Sequence, residues 1–276
     1  MAARPTVVLT RPHTEALQWQ QQLQALGQNT VVLPLIEIAP AQDAATRAAL
    51  EAIRQQLGHY RALMFVSPNA VRGFMAAPGM AEALAQALRD GTTRCWAPGP
   101  GTHKALQAAG VPDHAIDSPA ADAAQFDSES LWDVVAPQIR MHDRVLIVRG
   151  ASQGVPSAPS LHVQGSGREW LSRQLQAQGA QVTLVGVYAR QCPPATPALL
   201  TALTQHVQDP ATVWLFSSSE AIAHLQQLMP TQSFQHQRAL TTHPRIAEAA
   251  HAAGFGNVQQ CKPGVVEVCA SIESGA

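Results

Sequence analysis

Residues 63–71 run Leu-Met-Phe-Val-Ser-Pro-Asn-Ala-Val, an apolar stretch that stops at a serine turn and continues into helix-forming residues. A similar stretch returns at residues 213–221, Val-Trp-Leu-Phe-Ser-Ser-Ser-Glu-Ala. Each predicts a buried strand followed by a helix, with Ser67 and Ser217 in position to cap the helix N-terminus. Strand–turn–helix units with continuously apolar strands indicate an α/β protein with parallel sheets, because parallel strands are covered on both faces.

Short strands alternate with helical segments along the rest of the chain. The predicted strands are Thr6–Thr10, Thr30–Leu33, Ala62–Val66, Arg94–Ala97, Val145–Val148, Val182–Val185, Thr212–Phe216 and Arg238–Thr241. The segments between them are rich in Ala, Leu and Gln. Four of these segments end at a glycine suited to a helix C-cap, namely Gly27, Gly110, Gly179 and Gly254.

A second kind of unit also occurs twice. Val7–Leu9 is followed by Arg11, a helical segment and another strand, and Val145–Val148 is followed in the same way by Arg149. Two kinds of unit, each present twice, predict two similar domains with parallel sheets flanked by helices. The second copy contains an additional Ser-, Gly- and Pro-rich stretch at residues 151–167, which we expect to be a tolerated loop or, alternatively, a lid.

Composition excludes several classes of protein. The chain has 276 residues, 46% of them hydrophobic, which is enough for two domains with real cores. The net charge of −1 does not suggest nucleic-acid binding, and no apolar run is long enough to span a membrane. Four cysteines without CxxC spacing indicate reduced thiols in a cytoplasmic protein. The motifs of nucleotide loops, of zinc proteases and of the serine nucleophile elbow are missing, so we expect no metal.

Polar residues follow the predicted strands where each strand ends. In an open α/β sheet ligands bind outside the carboxyl ends of the strands, where helix N-termini attract anions. Helix capping explains any one of these turns equally well, and Thr242, like the two serines, is a good N-cap. Together they predict an extended anion-binding cleft, formed by the turns Thr10–Pro12, Ser67–Asn69, Pro98–Thr102, Arg149–Gly150, Ser217–Ser219 and Thr241–His243.

In their order along the chain these motifs resemble the uroporphyrinogen-III synthase family. The resemblance is carried by Val8–Pro12, Phe65–Val71, Pro98–Thr102, Val145–Gly150, Gly167–Glu169, Val185–Tyr188, Phe216–Ser218 and Ala253–Phe255. It implies two α/β domains joined by a two-stranded antiparallel linker. Residues 1–34 and 192–276 would form the first domain, residues 41–183 the second, and residues 35–40 and 184–191 the linker strands.

The resemblance also implies an activity. Family members are lyases that close the linear tetrapyrrole hydroxymethylbilane into uroporphyrinogen III, with loss of water and inversion of ring D, in haem biosynthesis. No redox step occurs, so no cofactor is required. Tyr188 matches the family tyrosine proposed to assist departure of the hydroxyl, although a packing role in the linker is the alternative. The expected substrate-binding residues are Arg11, Ser67, Asn69, Thr102, Arg149, Arg168, Ser217, Ser218 and Thr242, and the role of His243 is left open.

A non-catalytic two-domain binding protein for an anionic small molecule is the alternative function. It explains the duplication and the cleft as well as the enzyme does, but it does not account for Tyr188 or for the order of the motifs. The tetrapyrrole is the expected small-molecule partner, and nucleic acid and membrane are not expected. We further expect a monomer that makes transient contact with the preceding enzyme, hydroxymethylbilane synthase.

Overall fold

A computed structural model describes residues 5–41, 43–120, 128–151 and 167–274. The strands are β1 (Thr6–Leu9), β2 (Asn29–Val32), β3 (Glu37–Pro40), β4 (Ala62–Phe65), β5 (Arg94–Trp96), β6 (Ile116–Asp117), β7 (Arg144–Gly150), β8 (Gln181–Gln191), β9 (Thr212–Phe216), β10 (Arg238–Thr241) and β11 (Asn257–Gln260). The eight predicted strands are confirmed, the one predicted from residue 182 being longer than expected. Most of the stretch predicted to be a loop or a lid, residues 152–166, lies outside the described residues.

Helices follow most of the strands. They are α1 (His13–Ala25), α2 (Ala44–Gln55), α3 (Pro68–Met75), α4 (Met80–Arg89), α5 (Pro100–Ala108), α6 (Ser128–Val135), α7 (Gly167–Ala177), α8 (Pro197–Gln208), α9 (Ser219–Leu228), α10 (Pro244–Ala252) and α11 (Val265–Ser274). None of the helices in the described ranges is long and apolar enough to cross a membrane.

The chain divides into two compact units, and the first comprises Met1–Ile38 and Arg190–Ala276. Its sheet has the strand order β11-β10-β9-β1-β2, with parallel neighbours throughout. Trp214 of β9 packs in a cluster on one face of this sheet, and its neighbour Leu215 packs in a cluster on the other face. Both faces are thus covered, which explains why the strand is apolar at every position.

The second unit comprises Ala39–Ala189. Its sheet has the order β3-β8-β7-β4-β5-β6, and the neighbours from β8 to β6 are parallel. The edge strand β3 lies beside β8. Strand β3 covers residues 37–40 of the first segment that the resemblance predicts as a linker strand, and β8 includes all of the second, residues 184–191. Strand β8 runs without interruption from Gln181 to Gln191.

The two sheets have corresponding arrangements although the chain passes through them in a different order. In the first unit the strands lie as β2-β1-β9-β10-β11, and in the second as β8-β7-β4-β5-β6. The pair β1–β2 therefore corresponds to β7–β8, and β9–β10 corresponds to β4–β5. These are the two kinds of repeated unit visible in the sequence, and the prediction of two similar parallel sheets is confirmed.

Glycines end the helices where the sequence places them. Gly27, Gly110, Gly179 and Gly254 all have positive φ, between 79° and 88°. This left-handed conformation costs little for glycine and stops the helix by redirecting the chain. The four predicted C-cap glycines are therefore confirmed.

Only one of the three predicted N-caps is correct. Ser67 caps α3, since its hydroxyl accepts a hydrogen bond from the backbone N–H of Ala70. Helices α9 and α10 begin one residue later than expected, so Ser218 and His243 cap them in place of Ser217 and Thr242. The position left open for His243 is thereby explained, because its Nδ1 accepts a hydrogen bond from the N–H of Arg245 at 3.2 Å.

Candidate functional site

Each sheet has a point at which the strand order reverses. In the second unit, β4 is flanked by β5 on one side and by β7 on the other, and in the first unit β1 is flanked by β2 and β9. Ligands of open α/β sheets bind at the carboxyl ends of the strands on either side of such a point. Ser67 follows β4, Arg149 lies near the end of β7, Arg11 follows β1 and Ser217 follows β9. Four predicted site residues therefore lie at the two reversal points.

A β-bulge places Tyr188 beside the end of β7. Arg149 pairs with Gly186, but the next residue, Gly150, pairs with Tyr188, so Val187 is an extra residue on β8. The bulge breaks the alternation of the strand, because Val187 and Tyr188 are both buried, at 2% and 6% exposure. The bulge therefore points the Tyr188 side chain in a direction that regular pairing would not give it.

The Tyr188 hydroxyl lies 3.2 Å from the Oγ of Ser67. Ser67 in turn accepts a hydrogen bond from the N–H of Ala70, also at 3.2 Å, as the cap of α3. The phenol is thus connected through one hydroxyl to the N-terminus of a helix, where the backbone dipoles present a partial positive charge. This connection joins the predicted catalytic residue to one of the predicted binding residues.

Gly150 provides the space for the tyrosine ring. A Cβ atom added at Gly150 would lie 2.9 Å from the Cζ of Tyr188, closer than real Cβ atoms approach. Gly73 of α3 is similarly close to β8, since a Cβ there would lie 2.9 Å from the carbonyl oxygen of Val187. Two glycines therefore allow α3 and the end of β7 to approach the bulge closely. The sequence signal for them was weak, because neither position requires a positive φ.

The remaining predicted residues of the second unit have other neighbours. Asn69 accepts a hydrogen bond from the Nη2 of Arg72 at 2.6 Å, and the Nε of Arg149 donates to the carbonyl oxygen of Gly150 at 3.0 Å. Thr102 lies in the first turn of α5 and is 4% exposed, which favours packing over contact with a ligand. Arg168 is the second residue of α7, and its side chain lies outside the described residues.

Arg11, which follows β1 in the first unit, is a partly buried cation. Its guanidinium carbon lies 4.1 Å from the centre of the Trp19 ring, a cation–π contact. Burial lowers the pKa of Arg11, and this effect is partly opposed by the charge of Glu15. Among the described residues its buried Nε has no hydrogen-bond partner. An anion that accepted a hydrogen bond from this group would recover part of the cost of burying it.

Arg190 is a charged residue of the first unit that the sequence analysis missed. Its Nε lies 2.7 Å from Glu220 Oε2, and its Nη2 donates to the Oγ of Ser218 at 3.3 Å. Ser218 also accepts a hydrogen bond from the N–H of Glu220 as the cap of α9. Ser217 and Thr242 are partly exposed at the ends of β9 and β10, as expected. The signal that could have identified Arg190 is a charged residue on the same strand, two positions after Tyr188.

The thiols have no features of a nucleophile. All four cysteines are free, and burial raises the pKa of each thiol above its usual range, in the case of Cys95 to about 12. A thiolate nucleophile needs the opposite shift. The chemistry available at the strand ends is therefore that of hydroxyls, backbone N–H groups, guanidinium groups and one phenol. Such groups bind carboxylates and can assist the departure of an oxygen leaving group.

Comparison with known proteins identifies the family. The sequence profile of the family described as HEM4, uroporphyrinogen-III synthase HemD, matches residues 18–265. The solved structure of uroporphyrinogen-III synthetase from Helicobacter pylori is 16% identical, and the match covers 99% of each chain with a TM-score of 0.56. A mutant uroporphyrinogen III synthase of the extremely thermophilic bacterium Thermus thermophilus is also 16% identical over 98% of this chain and 96% of that chain, with a TM-score of 0.49. The Helicobacter structure shows the shared fold, and the profile match over most of the sequence shows that the chain belongs to the uroporphyrinogen-III synthase family.

Proposed function

We propose that this chain closes hydroxymethylbilane into uroporphyrinogen III through its own strand-end residues, with Tyr188 donating a hydrogen bond to the departing hydroxyl. The observation that carries the proposal is the position of the Tyr188 hydroxyl, 3.2 Å from Ser67 at the N-terminus of α3. A buried phenol connected to a helix N-terminus is a suitable donor for an oxygen that gains negative charge as its bond to carbon breaks.

The reaction begins at the hydroxymethyl group of ring A. The C–O bond breaks and its electron pair stays with the oxygen, which receives the phenol proton and leaves as water. The remaining azafulvene cation is attacked by the substituted carbon of ring D, which gives a spiro intermediate. That intermediate fragments and recloses with ring D inverted, and loss of a proton from the closing pyrrole restores its aromaticity. This proton balances the one taken from the phenol.

Binding of the substrate carboxylates is the second part of the proposal. Hydroxymethylbilane carries acetate and propionate groups on each ring, and positioning them must account for much of the selectivity, because the free bilane closes spontaneously without inversion. Arg11 is the strongest candidate in the first unit, since its buried Nε lacks a partner among the described residues. Ser217, Ser218 and Thr242 in that unit, and Asn69, Arg149 and Arg168 in the second, complete the proposed set.

The test supplies freshly generated hydroxymethylbilane to the purified protein and separates the oxidised porphyrin products by isomer. A dominant type III product is the expected result. A matched sample without protein measures the spontaneous formation of the type I isomer. If folded protein yields only type I at the spontaneous rate while still binding the tetrapyrrole, the enzyme proposal is wrong and the non-catalytic binding protein is the better account.

The assembly state and the cellular context belong to the same proposal. We propose a monomer that receives hydroxymethylbilane during transient contact with hydroxymethylbilane synthase in the cytoplasm. The instability of the free bilane favours such a transfer, and the free cysteines suit a reducing compartment. Sedimentation equilibrium tests the monomer. The contact is tested by supplying porphobilinogen to both enzymes, either mixed or separated by a dialysis membrane, and comparing the yields of type III isomer.

A further inference from the structure

We propose that Ser67 acts through Tyr188 and not by binding a substrate carboxylate. Its hydroxyl donates a hydrogen bond to the phenol oxygen and so leaves the phenol's own proton free for the departing hydroxyl. Ser67 is then a positioning residue, and this role rests on the proposed function of Tyr188. It replaces the carboxylate-binding role that the sequence suggests for Ser67.

The hydrogen-bonding capacity of the two hydroxyls supports this direction of donation. Ser67 Oγ already accepts from the N–H of Ala70 at 3.2 Å, and its single proton has Tyr188 as a neighbour at the same distance. A hydroxyl that accepts from a backbone N–H becomes a better donor, because hydrogen bonds in a chain polarise one another. The positive end of α3 adds to this effect, since it favours negative charge on the phenol oxygen at the end of the chain.

The backbone, and not Ser67, fixes the position of the tyrosine ring. The bulge at Val187 sets the direction of the side chain, and the close approach of Gly150 limits the movement of the ring on one side. Tyr188 is 6% exposed. Removing the serine hydroxyl would therefore leave the ring in place and change only the orientation of the phenol proton and the stabilisation of charge on the phenol oxygen.

The charge balance of the step follows from this arrangement. As the C–O bond of the substrate breaks, the phenol proton moves to the leaving oxygen and the phenol oxygen gains negative charge. The hydrogen bond from Ser67 becomes charge-assisted at that moment and is therefore stronger in the transition state than in the ground state. An interaction of this kind raises kcat and has little effect on KM.

A double-mutant cycle tests the proposal with Ser67→Ala, Tyr188→Phe and the double variant. Ser67→Ala is expected to lower kcat by about three- to tenfold at nearly constant KM, as the loss of one hydrogen bond predicts. In the Tyr188→Phe background the same substitution is expected to have no further effect on kcat. Ser67→Thr retains both the cap and the donor and is expected to restore the wild-type kcat.

Thr196→Ala is the matched control, because Thr196 caps α8 by accepting from the N–H of Leu199 and lies outside the proposed site. It loses a helix cap as Ser67→Ala does, and its kcat should stay at the wild-type value. Ser67→Ala effects that are equal in both backgrounds, or a rise in KM at constant kcat, would overturn the inference and support direct binding of a carboxylate. A wild-type protein that forms no type III isomer would overturn the proposed function and the inference with it.

Discussion

Replacing Gly150 with alanine is the most direct perturbation of the tyrosine that the structure offers. The new Cβ would lie 2.9 Å from Cζ, 3.0 Å from Cε2 and 3.2 Å from the hydroxyl oxygen of Tyr188, whereas ordinary contacts begin at 3.4 Å. Relief of the shortest contact requires the ring to move by about 0.5 Å, which follows from the difference between 3.4 Å and 2.9 Å. The atom it meets is part of a ring held by the strand and not the end of a flexible chain.

Movement of this size, if it is directed away from Ser67, is enough to break the contact between the two hydroxyls. A shift of about 0.5 Å directly away from Ser67 would stretch the present 3.2 Å separation to about 3.7 Å, beyond hydrogen-bond range. We therefore expect Gly150→Ala to lower kcat by at least the roughly three- to tenfold expected for Ser67→Ala, and by no more than Tyr188→Phe does, because the phenol is still present but is displaced and separated from Ser67. Overpacking of a buried site should also lower the free energy of unfolding by about 1–3 kcal/mol.

The assay is the isomer-resolved measurement of type III product, normalised to folded protein, with a urea titration of each variant. Gly58→Ala is the matched control in the same unit, since a Cβ there meets no atom within 4 Å. Adding Gly150→Ala to Tyr188→Phe should destabilise the protein without a further loss of kcat. A Gly150→Ala variant with wild-type kcat and wild-type stability would show that Gly150 does not determine the position of the Tyr188 ring.

Three further predictions concern single side chains. Tyr188→Phe should reduce kcat by about a hundredfold, the usual contribution of a proton donor, with little change in melting temperature, and an unchanged rate would remove the phenol from the mechanism. Burial raises the pKa of the Cys95 thiol in the folded protein to about 12. As the pH rises, the thiol therefore loses its proton in the unfolded chain before it does so in the folded protein. The free energy of unfolding should therefore fall above about pH 9 by up to about 1.4 kcal/mol per pH unit, and urea titrations at pH 8 and pH 10 should show a smaller fall in Cys95→Val. Arg94 of β5 donates hydrogen bonds to both carboxylate oxygens of Asp117 in β6, at 2.9 Å and 2.5 Å. Asp117→Asn removes the negative charge and replaces one of the two acceptor oxygens with an NH2 donor that faces the guanidinium group, so it should cost about 2 kcal/mol in the same titration. The loss would be near zero if the pair were only a surface contact.

The features that sequence alone predicts correctly are those determined by local chemistry. Apolar β-branched runs predict the strands well because several of them, such as β1, β4 and β9, are buried on both faces. Gly27 and Gly179 predict two helix ends because a left-handed residue is needed there. The N-caps of α9 and α10 were displaced by one residue, since serines or polar residues stand at both adjacent positions. Only the backbone conformation decides which of Ser217 and Ser218 begins the helix.

The arrangement around Tyr188 depends on pairing between strands and could not be predicted. A bulge has no fixed sequence signature, and Val187 becomes the extra residue only because of its register with β7. The contact between Gly150 and the phenol ring has the same origin. Arg190 and Glu220 form an ion pair although they are far apart in sequence, so no local motif indicates the pair. The burial of Thr102, which argues against its predicted role in binding the substrate, also depends on tertiary packing.

The position of β1 in its sheet affects how the protein folds while it is synthesised on the ribosome. β1 is flanked by β2 and β9, so one of its two edges stays unpaired until Thr212–Phe216 has been synthesised. At ~10 residues per second this delay is about twenty seconds, during which the continuous segment Ala39–Ala189 can fold first. The apolar residues Val7–Leu9 must remain accessible throughout that interval. Association of nascent chains, and dependence on chaperones, should therefore arise from β1 and not from the segment Ala39–Ala189 that follows it.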